Sequence, residues 1–141
     1  MELVRAFIAS GLLIEISPIG SLSKKIRRSP KLKFSAPSMR VALLSKFEVV
    51  EPAPLLEDAV TFYLLGEGIL EYEPGKGGAD FVLTRKGKRY VVEVGIEKAG
   101  YAQVRRSMER MGADFGIVIG REFDVKENLL MIPWWVFLGL V

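Results

Sequence analysis

GGADFVLTRKGKRYVVEVG, residues 77–95, holds the pattern from which the rest of the chain can be read. ADFVLTR and RYVVEVG are rich in β-branched and aromatic residues and flank Lys86-Gly87-Lys88, which predicts an antiparallel hairpin. Strand side chains alternate, so Glu93 and residue 95 share one face while Val92 and Val94 enter the other. Asp80 opens the first strand, and the hairpin carries it toward the end of the strand that holds Glu93. Two neighbouring carboxylates repel unless a proton or a cation lies between them. A divalent ion there would orient a water and neutralise charge developing on a phosphate. The competing reading has Asp80 lining a turn and Glu93 paired with Arg85, Lys88 or Arg89. Against it, Glu93 interrupts the apolar run VVEVGI, a central-strand pattern in which an ionised group needs a compensating partner.

Outward from this hairpin, the pattern alternates between helix and strand. Residues 2–12 are expected to be helical, with Gly11 near the end, and LLIEISPIG to be a strand stopping at Pro18-Ile19-Gly20. SLSKKIRRSPKLKF lacks steady apolar periodicity and contains Pro30, so a turn and loop leading into a short strand at 32–34 is expected. A helix follows from Pro37 to Leu44, with Ser35 or Ser38 available to cap it. After the linker KFEVVEPAP, the segment LLEDAVTFYLLGEG is predicted as a helix from Leu55, closed by Gly66 and Gly68, with Glu57 in its first turn. Beyond the hairpin, a helix over 99–111 is anchored by Val104, Met108 and Met111. DFGIVIG then reads as a strand buried on both faces. This order predicts an α/β domain with a mixed central sheet.

Composition narrows the chemistry. The chain has 141 residues, half of them hydrophobic, enough for one main domain without a disulfide or metal staple. It contains no Cys and no His, which excludes thiol and imidazole catalysis and Cys/His zinc sites. Metal chemistry would rest on oxygen ligands, favouring Mg²⁺ or Mn²⁺. No apolar run reaches membrane-span length, and the charged opening segment lacks a signal-peptide pattern, so a cytoplasmic protein is expected. The net charge of +3 permits nucleic-acid binding without requiring it. The end, MIPWWVFLGLV, is expected to pack into the core or against a partner, including another copy of the chain.

GGADFVL followed by YVVEVG resembles the D…ExK core of PD-(D/E)xK nuclease-like domains, with Asp80 and Glu93 at the acidic positions and Gly95 where the lysine belongs. Four further stretches extend the likeness to the C-terminal region of a family of archaeal and bacterial AAA-type ATPases. ELVRAFIASGLLIEISPIG is similar to the end of its winged helix, and SPKLKFSAPSMRVALL to the strand and helix that follow. PLLEDAVTFYLL is similar to its acid-bearing helix, with Glu57 as the acid, and MIPWWVFL to its closing strand and turn. The resemblance implies a restriction-endonuclease-like mixed sheet flanked by helices over residues 34–141, preceded by a partial winged-helix segment with a basic wing or linker over 1–33. It implies Glu57, Asp80 and Glu93 as catalytic positions, Asp80 and Glu93 as ligands for Mg²⁺ or Mn²⁺, and an ATPase domain outside this chain. Gly95 cannot supply the lysine's charge, and Lys98, beyond Ile96, is the cation that could reach back.

Nucleic-acid contacts are expected from Lys24, Lys25, Arg27, Arg28, Lys31 and Lys33, the dense basic run, and from Gln103 and Arg106 on the late helix. A solvated basic face is the alternative for the run. Arg105, Arg106 and Arg110 are open to pairing with Glu109 or Asp114. Gly75-Lys76-Gly77-Gly78 lacks the spacing and strand-to-helix context of a phosphate-binding nucleotide loop, so no ATP site is expected in this chain. Three functions follow: a nuclease-like accessory domain with little or no catalysis that binds nucleic acid, an active Mg²⁺-dependent phosphodiesterase using a displaced lysine, or an oligomerisation module.

Overall fold

The structure, a computed structural model, describes residues 2–140. Its elements run α1 (Glu2–Ala9), β1 (Leu13–Pro18), α2 (Leu22–Arg27), β2 (Lys31–Phe34), α3 (Pro37–Leu44), α4 (Pro52–Leu65) and β3 (Ile69–Tyr72). They continue with β4 (Phe81–Arg85), β5 (Lys88–Val94), α5 (Ala102–Met111), β6 (Phe115–Gly120), β7 (Asp124–Lys126), β8 (Leu129–Pro133) and α6 (Trp134–Leu140). The strands form one mixed sheet of eight in the order β2-β1-β3-β4-β5-β6-β8-β7. The chain is therefore an α/β protein with helices flanking a mixed sheet. The boundary expected between residues 33 and 34 falls inside β2, whose pairing with β1 joins both sides of it to the same sheet.

The β4–β5 hairpin turns where the sequence indicates, through Lys86 at φ 49° and Gly87 at φ 75°. Two successive left-handed residues give the tight turn that suits the twist of paired strands, and glycine takes the second without a Cβ clash. The pairing Phe81↔Val92 down to Arg85↔Lys88 sets the face of every side chain. Phe81, Leu83, Val92 and Val94 pack with Leu56, Val60 and Leu64 of α4. Val82, Val91 and Val118 pack with Val104 and Met108 of α5 on the other side. Glu93, in phase with Val91, belongs to the α5 side.

Several local expectations are corrected. Residues 22–27 form the helix α2 instead of a loop, tied to the sheet by an ion pair from Lys25 to Glu71 on β3; its Leu22 and Ile26 stay exposed, so apolar periodicity could not announce it. Helix α4 begins at Pro52, where a missing N–H costs nothing, which moves Glu57 out of the first turn. Neither Ser35 nor Ser38 caps α3, whose N-cap is Ala36. Helix α5 starts at Ala102, three residues later than expected, because residues 95–98 turn back on themselves. The polar stretch after β6 contains β7, and the terminal aromatic segment is the helix α6 rather than a turn.

Candidate functional site

Asp80 lies one residue before β4 and continues its register toward Glu93. Its Oδ2 accepts a hydrogen bond from the Val94 amide at 2.8 Å, fastening the start of β4 to the end of β5. Lys98 then completes the group: its Nζ donates to Asp80 Oδ2 at 3.0 Å and to Glu93 Oε2 at 2.6 Å. Arg85, Lys88 and Arg89, the alternative partners for Glu93, are engaged elsewhere: Arg85 with Glu67, Lys88 with Asp114, and Arg89 with the Met111 carbonyl.

Gly95 explains how a lysine three residues further on can reach. After β5 the chain turns, with the Lys98 amide donating to the Gly95 carbonyl at 3.1 Å. The Lys98 stem passes directly over Gly95, where an added Cβ would lie 2.9 Å from its Cγ and 3.1 Å from its Cδ. The Lys98 carbonyl accepts from the Arg121 amide at 3.0 Å, and at Gly120 a Cβ would come within 2.2 Å of that carbonyl oxygen. Two glycines thus allow the turn to seat against the end of β6 while its lysine folds back over the strand.

Burial governs the electrostatics. Glu93 is 1% exposed, and desolvation lifts its carboxyl to about 7 despite the hydrogen bond and charge of Lys98. Burial pulls Lys98 down, but the hydrogen bond to Glu93 and the charges of Asp80 and Glu93 outweigh it, and its ammonium is held above the usual lysine range. Glu93 Oε1 is buried without a hydrogen-bond partner, an exception to the rule that buried polar atoms are satisfied. A hard cation is one group that would satisfy it. The residues fit such an ion: Asp80 and Glu93 offer hard oxygen donors, and Mg²⁺ is commonly held by one or two carboxylates with waters completing the shell. Among the described residues, no three His, Cys, Asp or Glu side chains converge on one point.

Glu93 and Lys98 line a cleft of about 380 Å³ that also receives Gln103 and Arg106 from α5. Four residues singled out from sequence therefore meet there, with Asp80 bonded to Lys98 beside them. Glu57 does not join them. It sits on α4, which packs on the opposite face of the sheet, and makes an ion pair with Lys33.

The basic run is dispersed. Lys33 is buried by its pairing with Glu57, Lys25 is paired with Glu71, and Lys31 stacks its ammonium 4.8 Å from the centre of the Tyr72 ring. Lys24 lines a shallow groove with Arg89 and Arg110, while Arg27 and Arg28 are exposed. Arg110 pairs with Glu73, not with Glu109 or Asp114. At the C-terminal segment, Trp134 packs partly into the core and Trp135 remains half exposed.

One participant had no local signal in the sequence. Arg110 grips Glu73 through two hydrogen bonds of 2.7 and 3.0 Å and donates to the Gly77 carbonyl, while Glu73 Oε2 accepts from the Ala79 amide at 2.8 Å. This clamp fixes the loop that delivers Asp80. Its two residues lie 37 positions apart, so only the packing of α5 on the sheet brings them together.

Over 140 residues the chain is 46% identical to the uncharacterized protein MJ1637 of Methanocaldococcus jannaschii, the alignment covering 92% of this chain. The chain spans 30% of the length of that curated relative. No protein-family model and no solved structure matches it.

Proposed function

We propose that this chain is a restriction-endonuclease-like domain that hydrolyses phosphodiester bonds in nucleic acid with Mg²⁺ or Mn²⁺, using Lys98 in place of the lysine that Gly95 replaces. The observation that carries this reading is the path of Lys98 over Gly95 to both Asp80 and Glu93. Asp80 and Glu93 would hold the cation, which when bound would supply Lewis-acid activation and charge neutralisation. Lys98 would position the attacking water and offset charge as it develops on the phosphate. In the reaction the water oxygen forms a bond to phosphorus and gives up a proton to solvent, the P–O bond to the leaving oxygen breaks, and that oxygen takes up a proton from solvent. Gln103 and Arg106 would steady the substrate's phosphates from the cleft wall. In this reading the domain works in the cytoplasm as part of a longer AAA-type protein, whose ATP site would lie outside this chain.

A second reading has its own observation. The Lys98 ammonium already bridges both carboxylates, so it can replace a metal ion as their counter-charge and leave a domain that binds nucleic acid without cutting it. Incubating the chain with labelled single- and double-stranded DNA and RNA in Mg²⁺ or Mn²⁺ separates the two. Hydrolysis requires cleavage by the native protein and its loss in Asp80→Asn and Glu93→Gln. An absence of cleavage by folded protein, or cleavage that survives both substitutions, would sink the hydrolytic reading.

A further inference from the structure

We propose that two copies of this chain pair about a two-fold axis at the linker between α3 and α4, each inserting Phe47 into an apolar pocket of the other. Between Lys33 and Leu56 no residue is buried, although this stretch holds Val41, Leu43, Phe47 and Val49, all of them exposed. Phe47 and Val49, on the linker over residues 45–51, are the most open large hydrophobics among the described residues, at 85% and 84%. Helix α3 has eight residues, none of them buried, and is shorter than a helix that holds without packing. Scattered apolar side chains on a surface need no explanation, but a run of them beside an apolar pocket marks a contact.

That pocket has a volume of about 280 Å³. Pro37 of α3 and Pro52 of α4 line it together with Leu56, Ile96, Trp134 and Leu138, and none of its lining residues is charged. It suits one or two side chains better than a drug-sized ligand, whose pockets run from about 300 to 1,000 Å³. The neighbouring helices are neutral too: α6 carries no charge, and the two acids of α4 are committed to Lys33 and Arg40.

Self-complementarity favours a second copy as the occupant. The linker joins the two helices that wall the pocket, so projection and pocket lie side by side on one surface, and one two-fold axis seats both projections at once. The charges beside Phe47 suit the same axis. Among the described residues Lys46 and Glu48 make no ion pair. Two linkers running antiparallel across the axis set Lys46 of each beside Glu48 of the other, which fixes the register of the contact. Ile96 connects the pocket to the candidate site. It lies in the turn from Gly95 to Lys98 and packs into the core on the α4 side. A Phe47 ring seated against Ile96 would brace the turn from which Lys98 reaches Asp80 and Glu93. The pairing stands apart from the proposed function; only its effect on rate rests on that reading.

The test is sedimentation equilibrium of the full chain over a wide range of concentration, where a reversible dimer is expected. Phe47→Ser should weaken it by about thirtyfold or more, the loss typical of a central aromatic anchor. Circular dichroism should show that variant folded, because the ring is exposed in the single chain. Phe123→Ser, at another exposed aromatic outside the linker, should leave the dimer unchanged. Lys46→Glu and Glu48→Lys should each dissociate alone, through like charges brought together, and should form a dimer when mixed. The proposal is overturned by a chain that stays monomeric at every concentration, which would assign the surface to another part of a longer chain. A dimer that survives Phe47→Ser, or one that Phe123→Ser removes, overturns it as well. Cleavage per chain should fall as dilution dissociates the native dimer, and a constant rate would overturn the bracing of Lys98. A dimer that cleaves nothing would retire the hydrolytic reading and leave the pairing.

Discussion

The two faces of the sheet each carry a buried acid answered by a cation, yet the two groups are built differently. On the α4 side, Asp58 is fully buried and completely served: Arg40 donates at 2.6 and 3.0 Å to its two oxygens, and the Phe34 amide adds a third bond at 3.3 Å. On the α5 side, Glu93 is as deeply buried but keeps an unpartnered oxygen and borders a cleft. The first arrangement locks β2 and α3 onto α4. The second leaves bonding capacity unused inside the protein, which costs stability unless something else fills it. Depth of burial alone therefore does not mark a functional acid. Incomplete satisfaction beside an accessible cleft is the more informative sign.

Neutral isosteres at the two acids should break the comparison most widely. Asp58→Asn leaves the partly exposed Arg40 beside a neutral group and should cost about 2–3 kcal/mol in urea unfolding. Glu93→Gln removes a charge that desolvation already disfavours, while Lys98 keeps Asp80, so it should unfold within about 1 kcal/mol of the native chain and lose metal-dependent cleavage. Equal destabilisation by both would show that the two clusters are alike and purely structural.

Lysine placement gives the next effect. Lys98→Met should lower cleavage by about 10²–10⁴-fold, measured in Mg²⁺ with the fold checked by urea unfolding, because the substitution also strips Asp80 and Glu93 of their counter-charge. Gly95→Lys in a Lys98→Ala background should restore part of the rate, because the new side chain leaves β5 on the same face as Glu93. Failure of that rescue, with the fold intact, would mean that the turn itself is needed. Gly95→Ala is a milder probe. Its Cβ would press on the Lys98 stem, and a displacement of the ammonium should cost up to about 10²-fold in rate.

The smallest effect concerns the clamp behind Asp80. Burial pushes the Glu73 carboxyl up, but Arg110 and the Ala79 amide outweigh it and hold Glu73 below its usual range. Folded protein thus binds this proton less tightly than unfolded protein. The resulting stabilisation is complete above the ordinary carboxylate range and is lost as pH falls through the lowered folded value. The difference in unfolding free energy between pH 7 and pH 3 should shrink by about 1 kcal/mol in Glu73→Gln. An unchanged difference would remove the clamp's role.

Much of the architecture was legible because it depends on local repetition. Alternation in β4 and β5, the Lys-Gly turn, and the apolar run of β6 announce themselves within a few residues, and the hairpin arithmetic correctly brings Asp80 toward Glu93. Helix α2 was not legible, since its apolar residues stay exposed and an ion pair to Glu71 ties it to the sheet. That Glu57 lies apart from Asp80 and Glu93 was not legible for a related reason: a carboxylate in an apolar helix reads the same whether it faces a cleft or a buried lysine such as Lys33.

By itself, then, the sequence determined the chemistry on offer, oxygen ligands and amines with no thiol or imidazole, and the strand faces on which the acids lie. Only the tertiary structure decided which cation answers them. Lys98 reaches Asp80 and Glu93 because a turn after β5 is seated against Gly120 and because Gly95 leaves room for its stem. Such a match depends on the approach of segments distant in the chain, and strand periodicity ends at Val94, before the turn begins.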